Sequence, residues 1–103
     1  MEWRCKVYSL TRIVPYDGMG DAGSMCHKVR WDDDKKEGIE IPCDYPEIGW
    51  CLKVGSPHAR SGQWQDWWRT SPVTEILEET EDEESVLVSF KTGNSTYAWR
   101  KFK

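Results

Sequence analysis

Val86-Leu87-Val88-Ser89-Phe90-Lys91-Thr92-Gly93-Asn94-Ser95-Thr96-Tyr97-Ala98-Trp99-Arg100-Lys101-Phe102 is the stretch that decides the fold. Val86, Val88 and Phe90 alternate with Leu87, Ser89 and Lys91, the two-residue period of a strand. Gly93-Asn94 is a turn pair able to take positive φ, and alternation resumes over residues 95–102. A two-residue loop pairs Thr92 with Ser95, setting Phe90 opposite Tyr97 and Val88 opposite Trp99. Both pairs fall on one face, so turn chemistry and apolar pattern demand the same register.

Working upstream, Val73-Thr74-Glu75-Ile76-Leu77 follows Pro72 and reads as a further strand, since proline suits a strand's first position. The acidic residues 78–85 then form a long hairpin loop, completing a three-stranded antiparallel meander. Trp50-Cys51-Leu52-Lys53-Val54 is an apolar run stopped by Gly55-Ser56-Pro57. Lys28-Val29-Arg30-Trp31 and Ile39-Glu40-Ile41 are shorter strands, and Trp3, Cys5 and Val7 alternate near the N-terminus, with Leu10, Ile13 and Val14 continuing or bending that strand. Residues 17–24 and 32–38 read as polar connectors. No apolar repeat of helical period is sustained, which leaves at most one helical turn, over residues 44–48. Short strands with frequent turn signals predict an all-β chain, a small SH3-like antiparallel barrel or a sandwich, in one domain spanning 1–103.

Composition agrees. The 103 residues are 38% hydrophobic and 31% charged, with a mean hydropathy of -0.75, too charged for a membrane protein and too aromatic for a disordered one. A chain of this size buries only roughly 60–65% of its unfolded surface, so its core needs large side chains. Seven tryptophans, four tyrosines and two phenylalanines answer that need. The first residues are charged from Glu2 onward, without an apolar stretch of signal-peptide length, so a cytoplasmic, reducing setting is expected. Cys5, Cys26, Cys43 and Cys51 are then reduced thiols and not a disulfide framework.

The net charge of -4 is unevenly placed: residues 78–84 hold six of the 18 acids and no base. The remainder carries 14 bases against 12 acids, which leaves room for a local basic face but argues against a general duplex binder.

Catalytic constellations are thin. Cys26 and His27 are adjacent, so on a strand they point to opposite faces and cannot converge on one reacting atom, whereas Cys26 and His58 could converge only through the fold. No Cys-x-x-Cys knuckle exists, and Cys26, His27, Cys43 and Cys51 form only a loose metal-ligand set whose plainer reading is small apolar core residues. The glycines around Gly18 and Gly20 lack the lysine and the strand-to-helix context of a phosphate loop. No enzyme, cofactor or membrane is expected.

The binding candidates are aromatic and acidic. Trp64, Trp67 and Trp68 lie within five residues, flanked by Arg60 and Arg69. Consecutive Trp67 and Trp68 must point in opposite directions on an extended segment, so one serves the core and the other is left partly exposed. The plainer reading is that all three cap the ends of the core. A protein-interaction module would anchor through Trp64, Trp67 or Trp68, with Glu79, Glu81, Asp82 and Glu83 meeting a basic surface. The competing reading is a nucleic-acid or nucleotide binder that stacks bases on tryptophan and contacts phosphate through Arg60, Arg69, Lys53 and Arg100.

Trp68-Arg69-Thr70-Ser71-Pro72-Val73-Thr74-Glu75-Ile76, followed by Phe90-Lys91-Thr92-Gly93-Asn94-Ser95-Thr96-Tyr97, resembles a C-terminal cassette of small uncharacterised phage and prophage proteins, written TSPV-x-EI … T-x-NS-x-Y. The resemblance covers the last third of the chain. It implies a compact SH3-like β-barrel and a mobile-element accessory protein acting on a host protein, and it carries over no functional residue. The matching positions also have a structural reading: Thr70 and Ser71 bond backbone where a strand begins, and Asn94 and Ser95 make the hairpin turn.

Overall fold

The computed structural model describes residues 7–16, 19–55 and 67–103. Trp3, Cys5, His58, Arg60 and Trp64 lie outside the described residues. Among the described residues nine strands run in chain order: β1 (Val7–Val14), β2 (Gly20–Gly23), β3 (Met25–Asp32), β4 (Glu37–Pro42), β5 (Cys51–Gly55), β6 (Trp67–Arg69), β7 (Glu75–Glu81), β8 (Ser85–Lys91) and β9 (Thr96–Phe102). They form two antiparallel sheets, one ordered β2-β1-β9-β8-β7 and the other β4-β3-β5-β6. Among the described residues no ladder joins the sheets, so they are not closed into the barrel that the sequence pattern allows. β2 packs across β5 and β6, and β1 across β5 and β3, without pairing.

The meander over β7, β8 and β9 forms as the alternation requires. Phe90 pairs with Tyr97 and Val88 with Trp99. The loop closes through the Thr92 N–H to the Ser95 carbonyl at 2.8 Å and the Thr92 hydroxyl to the same oxygen at 3.3 Å. Neither Gly93 nor Asn94 takes positive φ, so the second bond from Thr92, and not a left-handed turn, holds the reversal.

Tyr8 and Leu10 from β1, Cys26, Leu52, Val54, Val73, Val88, Phe90, Tyr97 and Trp99 form the buried core between the sheets. Fully burying side chains of this kind contributes about 1.5–3 kcal/mol each, which fits a small domain resting on few large residues. Tyr8 stacks on Trp99 with ring centroids 6.0 Å apart, and Phe90 on Tyr97 at 5.6 Å.

Two connector assignments are corrected. Acidic residues 78–81 are not loop: β7 runs to Glu81, and the turn is confined to residues 82–84. As an edge strand β7 leaves most of its side chains in water, so glutamates tolerate strand geometry there. Asp82 closes the turn, its carboxylate accepting the N–H of Glu84 at 2.7 Å and of Ser85 at 2.8 Å. The glycine-rich segment is likewise a strand from Gly20 onward, paired with β1. A Cβ at Gly20 would sit 1.8 Å from the Leu10 carbonyl oxygen, so glycine permits the close edge pairing here. Residues 44–48 hold no helical turn; Pro46 is buried and a parallel bridge joins Ile48 to Val73. No helix among the described residues is long and apolar enough to cross a membrane.

Candidate functional site

The two consecutive tryptophans separate as strand geometry demands. Trp68 sits opposite Val54 and packs against the core, where its Nε1 donates to the Tyr97 hydroxyl at 3.3 Å and the Arg12 guanidinium covers its ring. Trp67, opposite Gly55, lies on the outer face of the four-stranded sheet with the Lys53 ammonium 4.3 Å from its ring centroid. Arg69 is exposed opposite Lys53. Trp68 is therefore structural, and of this pair only Trp67 is placed for a ligand.

A polar chain crosses that outer face. Lys53 donates to both carboxylate oxygens of Glu40 at 3.1 Å, and His27 Nδ1 lies 2.6 Å from Glu40 Oε2. Burial works against the Glu40 carboxylate, but hydrogen bonds from His27 and Lys53 win and hold it below the usual glutamate range. Lys53 is thus engaged by a carboxylate, which weakens it as a phosphate contact.

Among the described residues β7 is the edge of the five-stranded sheet, and the acidic candidates stand along it and its turn. Glu79 accepts a hydrogen bond from the Tyr45 hydroxyl, and that carboxylate pushes the Tyr45 phenol up to about 12. Glu81 pairs with Lys103 at 2.5 Å, while Lys103 also bonds the Asp82 carbonyl at 2.8 Å. Asp82 is spent on its own turn, and Glu83 is exposed. Glu75, Leu77, Glu78 and Thr80 are exposed along the same strand.

The cysteines divide. Cys26 and Cys43 meet, their sulfurs 3.7 Å apart, at the end of the β3–β4 hairpin. His27 points away to the outer face, as adjacency in a strand requires. Cys51, opposite Val29, also belongs to the outer face; burial pushes its thiol up against the opposing charge of Arg69. The four residues therefore do not form one ligand set, and no group of three potential metal ligands occurs among the described residues.

The cysteine pair borders an open cleft of about 390 Å³ whose walls include Tyr8, Met25, Pro42 and Asp44. The Tyr8 hydroxyl donates to Asp44 Oδ1 at 2.5 Å, and Asp44 also pairs with Lys101 at 3.6 Å. Burial, then this bond, pushes the Tyr8 phenol far up. Sequence reading missed the cleft. The Tyr8–Asp44 contact spans 36 residues and has no local signal. The cysteine contact did have one: zipping residues 28–31 against 39–41 and extending the ladder brings Cys26 opposite Cys43.

Comparison with known protein families, with curated proteins and with solved structures found no match to this chain.

Proposed function

We propose that this protein is a non-enzymatic interaction module that captures a basic, extended segment of a partner protein along β7. The observation that carries this reading is the position of β7: a seven-residue strand at a sheet edge, with glutamates on both of its faces. An edge strand presents unpaired backbone donors and acceptors, and peptides that add to such an edge gain affinity from main-chain hydrogen bonds. Glu75 and Glu78 lie on one face and Glu79 and Glu81 on the other, so a lysine- or arginine-rich strand meets carboxylates on both sides. Exposed Leu77, at the bulge, and Tyr45, bonded to Glu79, supply apolar contact beside them. The same charges repel a second copy of this edge, which favours a foreign partner over self-pairing.

The resemblance of the C-terminal cassette to phage and prophage proteins makes a cytoplasmic host protein the partner class to examine first. The test is amide exchange of the full chain titrated with a peptide of alternating lysine and valine. Protection of residues 75–81, weakened by salt and abolished by Glu75→Lys with Glu78→Lys, is the expected result. Binding that leaves those amides unprotected would refute the edge as the site. A single-stranded oligonucleotide that quenches tryptophan emission, while the peptide does nothing, would favour nucleic-acid stacking at Trp67 instead.

A further inference from the structure

Cys26 and Cys43 are cross-strand partners. The Cys43 N–H donates to the Cys26 carbonyl at 3.0 Å, one register position beyond the His27–Pro42 pair that ends the β3–β4 ladder. Directly opposed residues of an antiparallel pair lie at a separation that a disulfide spans. The sulfurs already stand 3.7 Å apart at the edge of the open cleft, where a small reagent reaches the half-buried Cys43 from solvent.

The surroundings give the two thiols different chemistry. The contact between the two sulfurs, in which either thiol can donate, favours an anion on Cys43, and the Tyr45 N–H and the Lys28 ammonium add to it. Together these outweigh burial and the nearby Asp44 carboxylate and pull the Cys43 thiol down, and Cys43 is also the more exposed of the two, which makes it the nucleophile. Cys26, bonded to that anion and 5% exposed, keeps its proton. Among the described residues the buried Trp99 indole N–H has no hydrogen-bond partner, and it acts on Cys26 in favour of its anion. An unsatisfied buried donor is costly, and an anionic sulfur beside it is the charge it would stabilise.

We propose that Cys26 and Cys43 form a thiol–disulfide exchange site that takes low-molecular-weight disulfides, oxidised glutathione being the probe. The Cys43 thiolate attacks one sulfur of the small disulfide; that S–S bond breaks, and one small thiolate leaves with the electron pair. Cys43 is then a mixed disulfide and no longer an anion, so the hold it had on the Cys26 proton is gone. Cys26 passes its proton to the released thiolate and attacks the Cys43 sulfur, expelling the second small thiolate, which takes from solvent the proton that Cys43 had given up. Two protein thiols are oxidised to one disulfide, and the small disulfide is reduced to two thiols. The bond staples β3 to the segment that begins at Cys43 and carries Asp44 and Tyr45.

The test uses the full chain carrying Cys5→Ser and Cys51→Ser, which leaves only this pair. Oxidised glutathione should remove both free thiols, and the intact mass should fall by two hydrogens, restored by dithiothreitol. Adding Cys26→Ser should trap glutathione on Cys43 as a lasting mixed disulfide, whereas adding Cys43→Ser should leave Cys26 unmodified. Far-UV circular dichroism checks that each variant is folded. Should a variant fail to fold, non-reducing peptide mapping of the unmutated chain, cleaved between Cys43 and Cys51, reads the same link directly. Glutathione on both cysteines without an internal bond, or two thiols that stay free, would overturn the proposal.

Discussion

The Trp68 indole donates to the Tyr97 hydroxyl across 29 residues of sequence, tying β6 of one sheet to the core strand β9 of the other. Trp67, its neighbour in the chain, makes no such crossing and lies under Lys53 on the outer face. Trp68→Ala is therefore expected to cost about 3 kcal/mol, in the range of large-to-small core changes, while Trp67→Ala costs less than about 1 kcal/mol. Urea denaturation of the two variants measures the contrast, and equal losses would contradict the opposed placement of the rings.

Gly20 carries a tighter constraint. A methyl group there would lie 1.8 Å from the Leu10 carbonyl oxygen, which is backbone and cannot swing aside. Gly20→Ala should separate β2 from β1, with a loss of about 1–3 kcal/mol. Amide exchange should quicken in residues 20–23 before it does in β8 or β9.

Much of the core was legible in the sequence, for a local reason. The β8–β9 register follows from Thr92 and Ser95 flanking a two-residue loop, and from Val88, Phe90, Tyr97 and Trp99 sharing one face. The opposed fates of Trp67 and Trp68 follow from strand geometry alone. What was hidden depends on partners distant in the chain. β1 pairs with β9, and no pattern in either strand names the other. The acidic run looks like a loop because glutamate has little strand preference; only an edge, wet on both faces, makes it a strand. Gly20 and its neighbours have the composition of a connector, and their strand exists because Leu10 lies beside them. At the candidate site, the carboxylates were visible as charge, but their alignment along a sheet edge was not.

Tyr45 offers a pH readout of the β7 edge. Its phenol is raised from the usual 10.0 to about 12, chiefly by the bond to Glu79. A group raised on folding favours the folded state in full below its unfolded value, and that contribution is lost as pH climbs through 12. Spectrophotometric titration of Tyr45→Phe should lack one phenol ionising near the top of that window. Glu79→Gln should return the same phenol toward 10, and an unchanged titration would separate Tyr45 from the carboxylate.

Glu40 gives the acid counterpart. Its folded value lies below the usual 4.5, so its bonds to His27 and Lys53 stabilise the protein fully above that pH and fade as pH falls through the lowered value. Glu40→Gln should cost up to about 1 kcal/mol at neutral pH, since the group is partly exposed and water screens it. The gap between variant and parent should close in strongly acidic solution. Thermal melts at a series of pH values follow it, and a gap that persists in acid would mean packing, and not charge, is what Glu40 contributes.

The pairing of β1 with β9 has a consequence for biosynthesis. The strand on which both halves of the larger sheet converge is the last of the nine to leave the ribosome. Until it is made, β1 on one side and β8 on the other have no strand between them to pair with, and Tyr8, Leu10, Val88 and Phe90 lack the cover of Tyr97 and Trp99. Translation thus delivers the keystone after the arch, and the larger sheet closes only once β9 has been made.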